Sequence, residues 1–497
     1  MYKVGKYLLD SEQTKIVEDE SNHLLVVAGA GSGKTLTILG KIKYLVEEKK
    51  INSNEILCIS FTRKAASSLE EKITKELNLK VPVYTFHKLA LDILKEKNYK
   101  ISSPDLLEDI THTFFIDTIL NYSYQKNLVL KYFKEKDYYK VLKRKDFLYL
   151  EKNLISFIHL FKCNGYSILD FKTFFKKIRW TLSYKKYKEE KIFLLLAINI
   201  LLIYNAYLKE NNEIDFDDMI IKATEYLKDN PYNKKIKYII IDEYQDTSFI
   251  RFNLIKELLS KTNSKLMVVG DDFQSIYHFT GCELDLFLNF KKYFKDAKML
   301  KIQTTYRNSN ELVKVAGDFV MKNPKQIKKK LKSNKHLSNP IKIIYYHNLK
   351  TKIKELILEI YKKNNNSILI LGRNNSDINL ILDKDFKLEE DKVIYLPDKN
   401  IDITYMTIHK SKGLESDNVI MINLTNNYLG LPSKIKENKI LRLVSKESDK
   451  YPYSEERRLF YVGLTRTKNY TYLLVPKHNP SIFINELKSL LFYRNMV

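Results

Sequence analysis

The chain has 497 residues, room for roughly three domains at ~150 residues each, and 44% hydrophobic against 29% charged residues exclude a wholly disordered polypeptide. Lys and Arg number 85 and Asp and Glu 60, a formal net charge of +25, so an anionic partner is expected and nucleic acid is the first candidate. The excess is concentrated: between positions 121 and 191, 18 basic residues stand against 7 acidic ones.

Residues 1–10 hold no signal-peptide core. The apolar runs LLVVA (24–28) and ILCISF (56–61) then read as buried strands, each followed by an amphipathic stretch. From 91 to 213 no such strands occur, and Lys, Tyr and Phe recur at helical spacing, so this segment is expected to be a basic helical insertion. Inside it, IFLLLAINILLIYNAYL (192–208) is at the short end for a bilayer span, contains Asn199 and Asn205 and stands alone; a buried helix, and no membrane partner, is expected. Strands resume with YIIID (238–242) and KLMVVG (265–270), and a second set follows with SILIL (367–371), NVIMINL (418–424) and YTYLLV (470–475). Two parallel sheets covered by helices account for this alternation. The runs KNPKQIKKKLKSNK (322–335) and KKNNNS (362–367) read as solvated connections. Cys58, Cys163 and Cys282 are odd in number and form no CxxC pair, which argues against a disulfide framework or a structural zinc site and fits a reducing cytoplasm.

Chemistry enters at AGAGSGKT, Ala28, Gly29, Ala30, Gly31, Ser32, Gly33, Lys34 and Thr35, between a strand and a helix as a phosphate-binding loop requires. Its glycines let backbone N–H groups face phosphate, Lys34 reaches the terminal phosphates, and Thr35 is placed to hold Mg²⁺. ATP with Mg²⁺ is the expected cofactor pair. YIIIDEYQD supplies the complementary acids: Asp242 for the metal and Glu243 to orient and deprotonate water.

With these motifs in place, the ordered series along the chain resembles superfamily 1 helicases of the UvrD/Rep type, and its motif style is similar to the helicase IV branch. Gln13 resembles the adenine-reading glutamine. FTRKAA (61–66) and YTFHKLA (84–90) resemble DNA-contacting motifs, which implies roles for Phe61, Thr62, Thr85, Phe86 and His87. In GDDFQSIYHFTG (270–281) the resemblance implies that Gln274 senses the γ-phosphate, Tyr277 stacks on adenine and Phe279 lies under a base. TTYRNS (304–309) offers Arg307, and EERRLFYVGLTR (455–466) offers Arg466, as cations for the transferred phosphoryl group. TIHKSKGLE (407–415) implies DNA contacts for Thr407, His409 and Lys410 and a ribose contact for Glu415.

The resemblance implies an α/β fold of two RecA-like parallel-sheet domains, with a helical insertion in the first and a minimal insertion in the second. The implied division is 1–90 with 214–300, then 91–213, then 301–497 with a reduced insertion at about 308–400. Three departures stand out. An extension that the helicase IV branch carries ahead of the phosphate loop is expected to be missing, the insertion after Arg307 is short, and Leu36 and Glu70 stand where basic residues are often found. The implied activity is ATP-dependent movement on single-stranded DNA, 3′ to 5′, with duplex unwinding in repair, replication, recombination or defence. Single-stranded and tailed duplex DNA are the expected partners. The alternative is an ATP-controlled DNA-binding subunit of a nuclease or antiviral assembly.

Overall fold

The computed structural model describes residues 2–179, 183–364, 367–435, 438–445 and 449–495; positions 365 and 366 of the KKNNNS run lie outside them. Among the described residues, six strands form the first sheet: β1 (His23–Ala28), β2 (Ile56–Ser60), β3 (Val83–Thr85), β4 (Tyr238–Ile241), β5 (Lys265–Gly270) and β6 (Lys298–Ile302). All pairings are parallel, in the order β6-β1-β5-β4-β2-β3. Their apolar runs are continuous because both faces of the sheet are covered. The pleat divides each run: Leu25, Val27, Leu57, Ile59, Ile239 and Ile241 enter one core, and Leu24, Val26, Ile56, Cys58, Tyr238 and Ile240 the other.

β6 moves the expected boundary at 300. It pairs with β1 at the sheet edge, so the first lobe runs to Ile302. Its two lysines, Lys298 and Lys301, belong to an edge strand and hide it from a search for apolar runs.

The second sheet contains β7 (Ile341–Tyr346), β8 (Ile368–Gly372), β9 (Phe386–Glu389), β10 (Lys392–Tyr395), β11 (Ile403–Thr407), β12 (Ser416–Met421) and β13 (Thr467–Pro476). Its order is β7-β13-β12-β8-β11-β10-β9. The body of this sheet is parallel as expected, and at one edge β9 and β10 pair antiparallel, as does β10 with β11. Only Glu390 and Asp391 join β9 to β10, with Glu390 at φ 56°, and so tight a turn permits no parallel crossover. Residues 308–400, expected as a reduced insertion, instead supply β7 to β10 and the helices Asn310–Val320 and Leu349–Asn364.

The helical insertion contains the helices Leu106–Ile116, Ser123–Phe133, Lys145–Cys163, Phe171–Ile178 and Tyr184–Glu210 around a Phe-rich core. The helix Phe86–Ile93 belongs to the first lobe's core, so the helical unit starts later than 91. Tyr184–Glu210 is long and apolar enough to cross a membrane, yet Ile192, Phe193, Leu196 and Ile200 are buried against its neighbours. Ile440, Leu441 and Val444 from the second lobe complete the same core.

The two lobes also meet directly. Ala30, Phe273 and Ile276 of the first pack into a cluster with Leu312, Phe319, Leu459 and Tyr461 of the second. Phe273 meets Tyr461 edge-on with ring centres 5.3 Å apart. The basic run 322–335, expected as solvated, lies partly within this junction: Asn323, Gln326, Lys329 and Leu331 are buried. Its Lys332 carbonyl accepts from Thr305 N–H at 2.8 Å, and Lys332 N–H donates to the Gln303 carbonyl at 3.0 Å. Backbone pairing with the interlobe connection, which no composition reveals, holds the run there.

Candidate active site

The glycine loop leaves β1 at Ala28 and enters the helix Lys34–Glu47, with Gly31 and Gly33 at φ 68° and 78°. At Gly31 a second reason for glycine appears: a Cβ would lie 2.5 Å from Arg307 Cβ and 2.9 Å from Thr305 Oγ1. The connection after β6 rests on the loop at this point. Thr305 Oγ1 donates to the Ala30 carbonyl at 2.7 Å and Tyr306 N–H to the Gly31 carbonyl at 2.9 Å. Among the described residues, the buried Ser32 Oγ finds no hydrogen-bond partner, as suits a loop shaped for phosphate oxygens.

Asp242 and Glu243 follow β4, and Glu243 sits at φ 52°, a left-handed backbone that costs a non-glycine residue of order 1–3 kcal/mol and concentrates at functional positions. Lys34 Nζ donates to Glu243 Oε1 at 2.7 Å, and Gln245 Nε2 donates to Glu243 Oε2 at 2.6 Å. Burial pushes Lys34 down, but the carboxylates of Glu243, Asp242 and Asp271 outweigh it and raise its pKa. In the buried acid pair, burial raises both members. Its effect prevails at Asp242, with Glu243's charge adding to it, whereas Lys34 and Lys412 reverse it and lower Glu243. Asp242, raised to about 6, is thus the weaker acid of the pair, and Glu243, lowered to about 2, is a carboxylate at neutral pH. With Thr35 opening the neighbouring helix, these oxygens form a donor set that a divalent cation fits.

The second lobe supplies guanidinium groups. Arg466, 1% exposed, donates through Nη2 to Gln274 Oε1 at 3.0 Å and through Nε to the Val462 carbonyl at 3.1 Å. Burial, reinforced by Arg307, pushes its pKa down to about 9, which leaves a cation at neutral pH. Arg307 Nε donates to Glu415 Oε2 at 2.7 Å. Lys412, which sequence reasoning passed over, donates to Asp246 Oδ2 at 2.5 Å and to the Gln274 carbonyl at 2.7 Å, bridging the lobes. Nothing in TIHKSKGLE distinguishes it from Lys410, which is exposed.

On the base side, Gln13 is buried, lies in a capping box with Asp10, and donates to the Ser32 carbonyl at 3.4 Å. The tyrosine bonded to this capping box is Tyr306 and not Tyr277, the expected adenine partner. Tyr306, 56% exposed, donates its hydroxyl to Asp10 Oδ2 at 2.7 Å. Tyr277 instead donates to the His409 carbonyl at 3.1 Å, lies under Lys412 Nζ, and meets the Phe279 ring at 6.2 Å. It sits against the TIHK segment. Tyr306 escaped notice because its neighbour Arg307 drew the interpretation of TTYRNS.

Phe279, 58% exposed, and His409 meet edge-on with ring centres 5.7 Å apart. Phe61 is half-buried, and the Arg251 guanidinium, another residue the motifs did not flag, lies 4.6 Å over its ring. Phe86 does not join this face: it is 2% exposed and in the core, because Phe86, Leu89, Ala90 and Ile93 make one apolar stripe of their helix. That spacing was legible in the sequence. Thr62 and Thr85 accept helix-capping bonds from Ala65 and Lys88 N–H, each at 3.1 Å, and Thr407 Oγ1 accepts from Lys410 N–H at 3.3 Å. Burial, then Arg251 and Arg63, lowers His87 to about 4; burial, then Arg373 and Lys412, lowers His409 equally.

Residues 9–295 match the family model for the UvrD/REP helicase N-terminal domain, and residues 383–478 match the UvrD-like helicase C-terminal domain. The chain is 31% identical to DNA helicase IV of Escherichia coli (strain K12), over 97% of this chain and 70% of that protein. It is 31% identical to ATP-dependent DNA helicase Rep of Buchnera aphidicola subsp. Schizaphis graminum, over 73% of this chain and 51% of that protein. A probable DNA helicase of Mycoplasma pneumoniae is 29% identical over 94% of this chain and 83% of its own length. The chain thus spans about half the length of the Rep relative.

Three expectations follow. Loss of aromatic stacking by Tyr306→Ala raises KM for ATP about tenfold, the worth of one such contact, whereas Tyr277→Ala weakens DNA binding; steady-state kinetics showing the reverse would return adenine to Tyr277. Because His87 and His409 stay neutral until about pH 4, single-strand affinity measured by fluorescence anisotropy shows no step near pH 6.5. A titration centred there that disappears in His409→Asn would contradict the burial argument. The same depressed values make the folded protein bind fewer protons than the unfolded chain, so their contribution to stability is lost as pH falls from 6.5 toward 4.

Proposed function

This chain belongs to the UvrD/Rep helicase family, and from that membership and the cleft geometry we propose an ATP-driven motor that moves along single-stranded DNA, 3′ to 5′, and unwinds duplex. The observation that carries the reading is the convergence of Lys34, Glu243 and Gln274 from one lobe with Arg307, Lys412 and Arg466 from the other in one hydrogen-bonded junction. Each of these cations has an internal acceptor. ATP phosphates would compete with Glu243 for Lys34 and with Glu415 for Arg307, while Gln274 brings Arg466 toward the terminal phosphate. Glu243, the ionised acid, then accepts the proton of the attacking water. Thr35 and Asp242 would hold Mg²⁺, which would supply charge neutralisation on the phosphates. Since the arginines belong to the lobe opposite the phosphate loop, cleavage alters the bonds that join the lobes, and Phe61, Phe279, Thr62 and Lys410 on the open face transmit the change to DNA. Binding through aromatic faces and backbone cations would be independent of sequence.

The folding of residues 308–400 into the second sheet supports a second reading, an ATP-controlled DNA-binding subunit working with a nuclease or with a repair or defence protein. Strand displacement on 3′-tailed and 5′-tailed duplexes separates the two. The motor reading expects ATP-dependent displacement of the 3′-tailed substrate alone; ATP hydrolysis without displacement favours the subunit. Lys34→Ala and Glu243→Gln are expected to abolish DNA-stimulated hydrolysis, and Arg466→Ala to lower turnover by ~10³ or more. Turnover at the parental level in Arg466→Ala would remove that arginine from the reaction. Single-strand affinity should fall linearly on a log scale with salt, and a flat profile would reject a cationic DNA track.

A further inference from the structure

Lys329 lies in the basic run 322–335, yet its side chain is fully buried together with those of Asp271 and Asp272. An ammonium in that position must satisfy three donors. The acceptors are Asp271 Oδ1 at 2.5 Å, Asp272 Oδ1 at 2.7 Å and the carbonyl of Ala28 at 3.2 Å, where β1 passes into the glycine loop. The charge also lies 3.6 Å from the centre of the Phe273 ring. Neighbouring residues hold the run in register: Ile327 N–H donates to Asp272 Oδ2 at 2.8 Å, and Leu331 packs so close to Gly29 that a Cβ there would lie 2.7 Å from its Cδ2.

The second oxygen of Asp271 carries the consequence. Oδ2 accepts from Gln274 Nε2 at 2.6 Å, which leaves Gln274 Oε1 to accept from Arg466 at 3.0 Å. Turned over, that amide would set its N–H groups against a guanidinium and its oxygen against a carboxylate. Its orientation therefore depends on Asp271, whose other oxygen is held by Lys329 together with the Phe273 N–H at 3.1 Å.

We infer that Lys329 is a positioning residue for ATP hydrolysis: by fixing the Asp271 carboxylate it sets the Gln274 amide, and through that amide Arg466, tying the start of the phosphate loop to the arginine of the opposite lobe. The inference rests on the ATP-site reading above. Removing Lys329 alone would strand two buried carboxylates, so Lys329→Met/Asp272→Asn, which deletes one charge of each sign, is the first variant. Asp271→Asn is the second; it keeps the side chain's shape and leaves the Lys329–Asp272 pair intact. Each is expected to lower kcat of DNA-stimulated ATP hydrolysis by about 10- to 100-fold, the cost of a small misplacement at a reacting centre, with KM for ATP little changed; Asp271→Asn, which strands no charge, also keeps the melting midpoint, whereas the double variant leaves Asp271 without its ammonium and lowers it. In a Gln274→Ala background the same changes should cost almost nothing further, because the group they position is gone. A merely structural lysine would give equal losses in both backgrounds, and that result, or full turnover in Asp271→Asn, overturns the inference. If the double variant does not fold, Asp271→Asn decides, since Lys329 acts through Asp271. Lys34→Ala is the control: retained hydrolysis there sinks the site assignment, whereas its loss beside full turnover in Asp271→Asn sinks only the relay.

Discussion

Four cations of the second lobe, Lys329, Lys412, Arg458 and Arg466, end where little water reaches, and each donates to an acceptor of the first lobe. Lys329 takes Asp271 and Asp272, Lys412 takes Asp246, Arg458 Nε donates to the Ser275 carbonyl at 2.6 Å, and Arg466 takes Gln274. A buried charge left without its partner costs several kcal/mol, about 3–5 in measured cases. The relative placement of the lobes is therefore a condition of their folding together as well as of their chemistry. Ala30, Phe273 and Ile276 seal the junction with apolar contacts, which strengthens every electrostatic interaction inside it.

Under that constraint single residues serve two purposes. Gly31 turns the backbone toward phosphate and also admits Thr305 and Arg307 against the loop, so a side chain there would disturb the anion site and the interlobe connection together. Glu243 accepts from Lys34 while held in a left-handed backbone that only its surroundings enforce. Gln245 links that acid to the start of the following motif by donating to Glu243 and accepting from Asp271 N–H at 2.9 Å. The phosphate loop and the ends of β4 and β5 are thus joined by one chain of hydrogen bonds through Lys34, Glu243, Gln245 and Asp271.

The open face obeys a different rule. Aromatic rings there meet polar neighbours: Phe61 packs at the margin of the first lobe's core with Arg251 over its ring, and His409 and Tyr277 flank Phe279. Burial keeps His87 and His409 uncharged, so they offer hydrogen bonds and stacking surface, and positive charge comes from exposed lysines such as Lys410. The helical insertion is tied to both lobes. Its core includes Ile440, Leu441 and Val444, and Asn164 Nδ2 donates to the Val444 carbonyl at 3.0 Å.

The sequence by itself determined the parts whose signals are local: AGAGSGKT between a strand and a helix, DE at the end of YIII, the central strands of both sheets, and the ordered motifs that carry the family membership. These are legible because a buried parallel strand needs an unbroken apolar run and a phosphate loop needs glycine at set spacing. Edge strand β6, the antiparallel hairpin β9–β10, the bond of Tyr306 to Asp10 and the burial of Lys412 and Lys329 against acids of the first lobe were decided by tertiary structure alone. A lysine in a run of lysines looks the same whether it faces water or two carboxylates; what distinguishes it is an acceptor tens of residues away in the chain, and only folding brings that acceptor within reach.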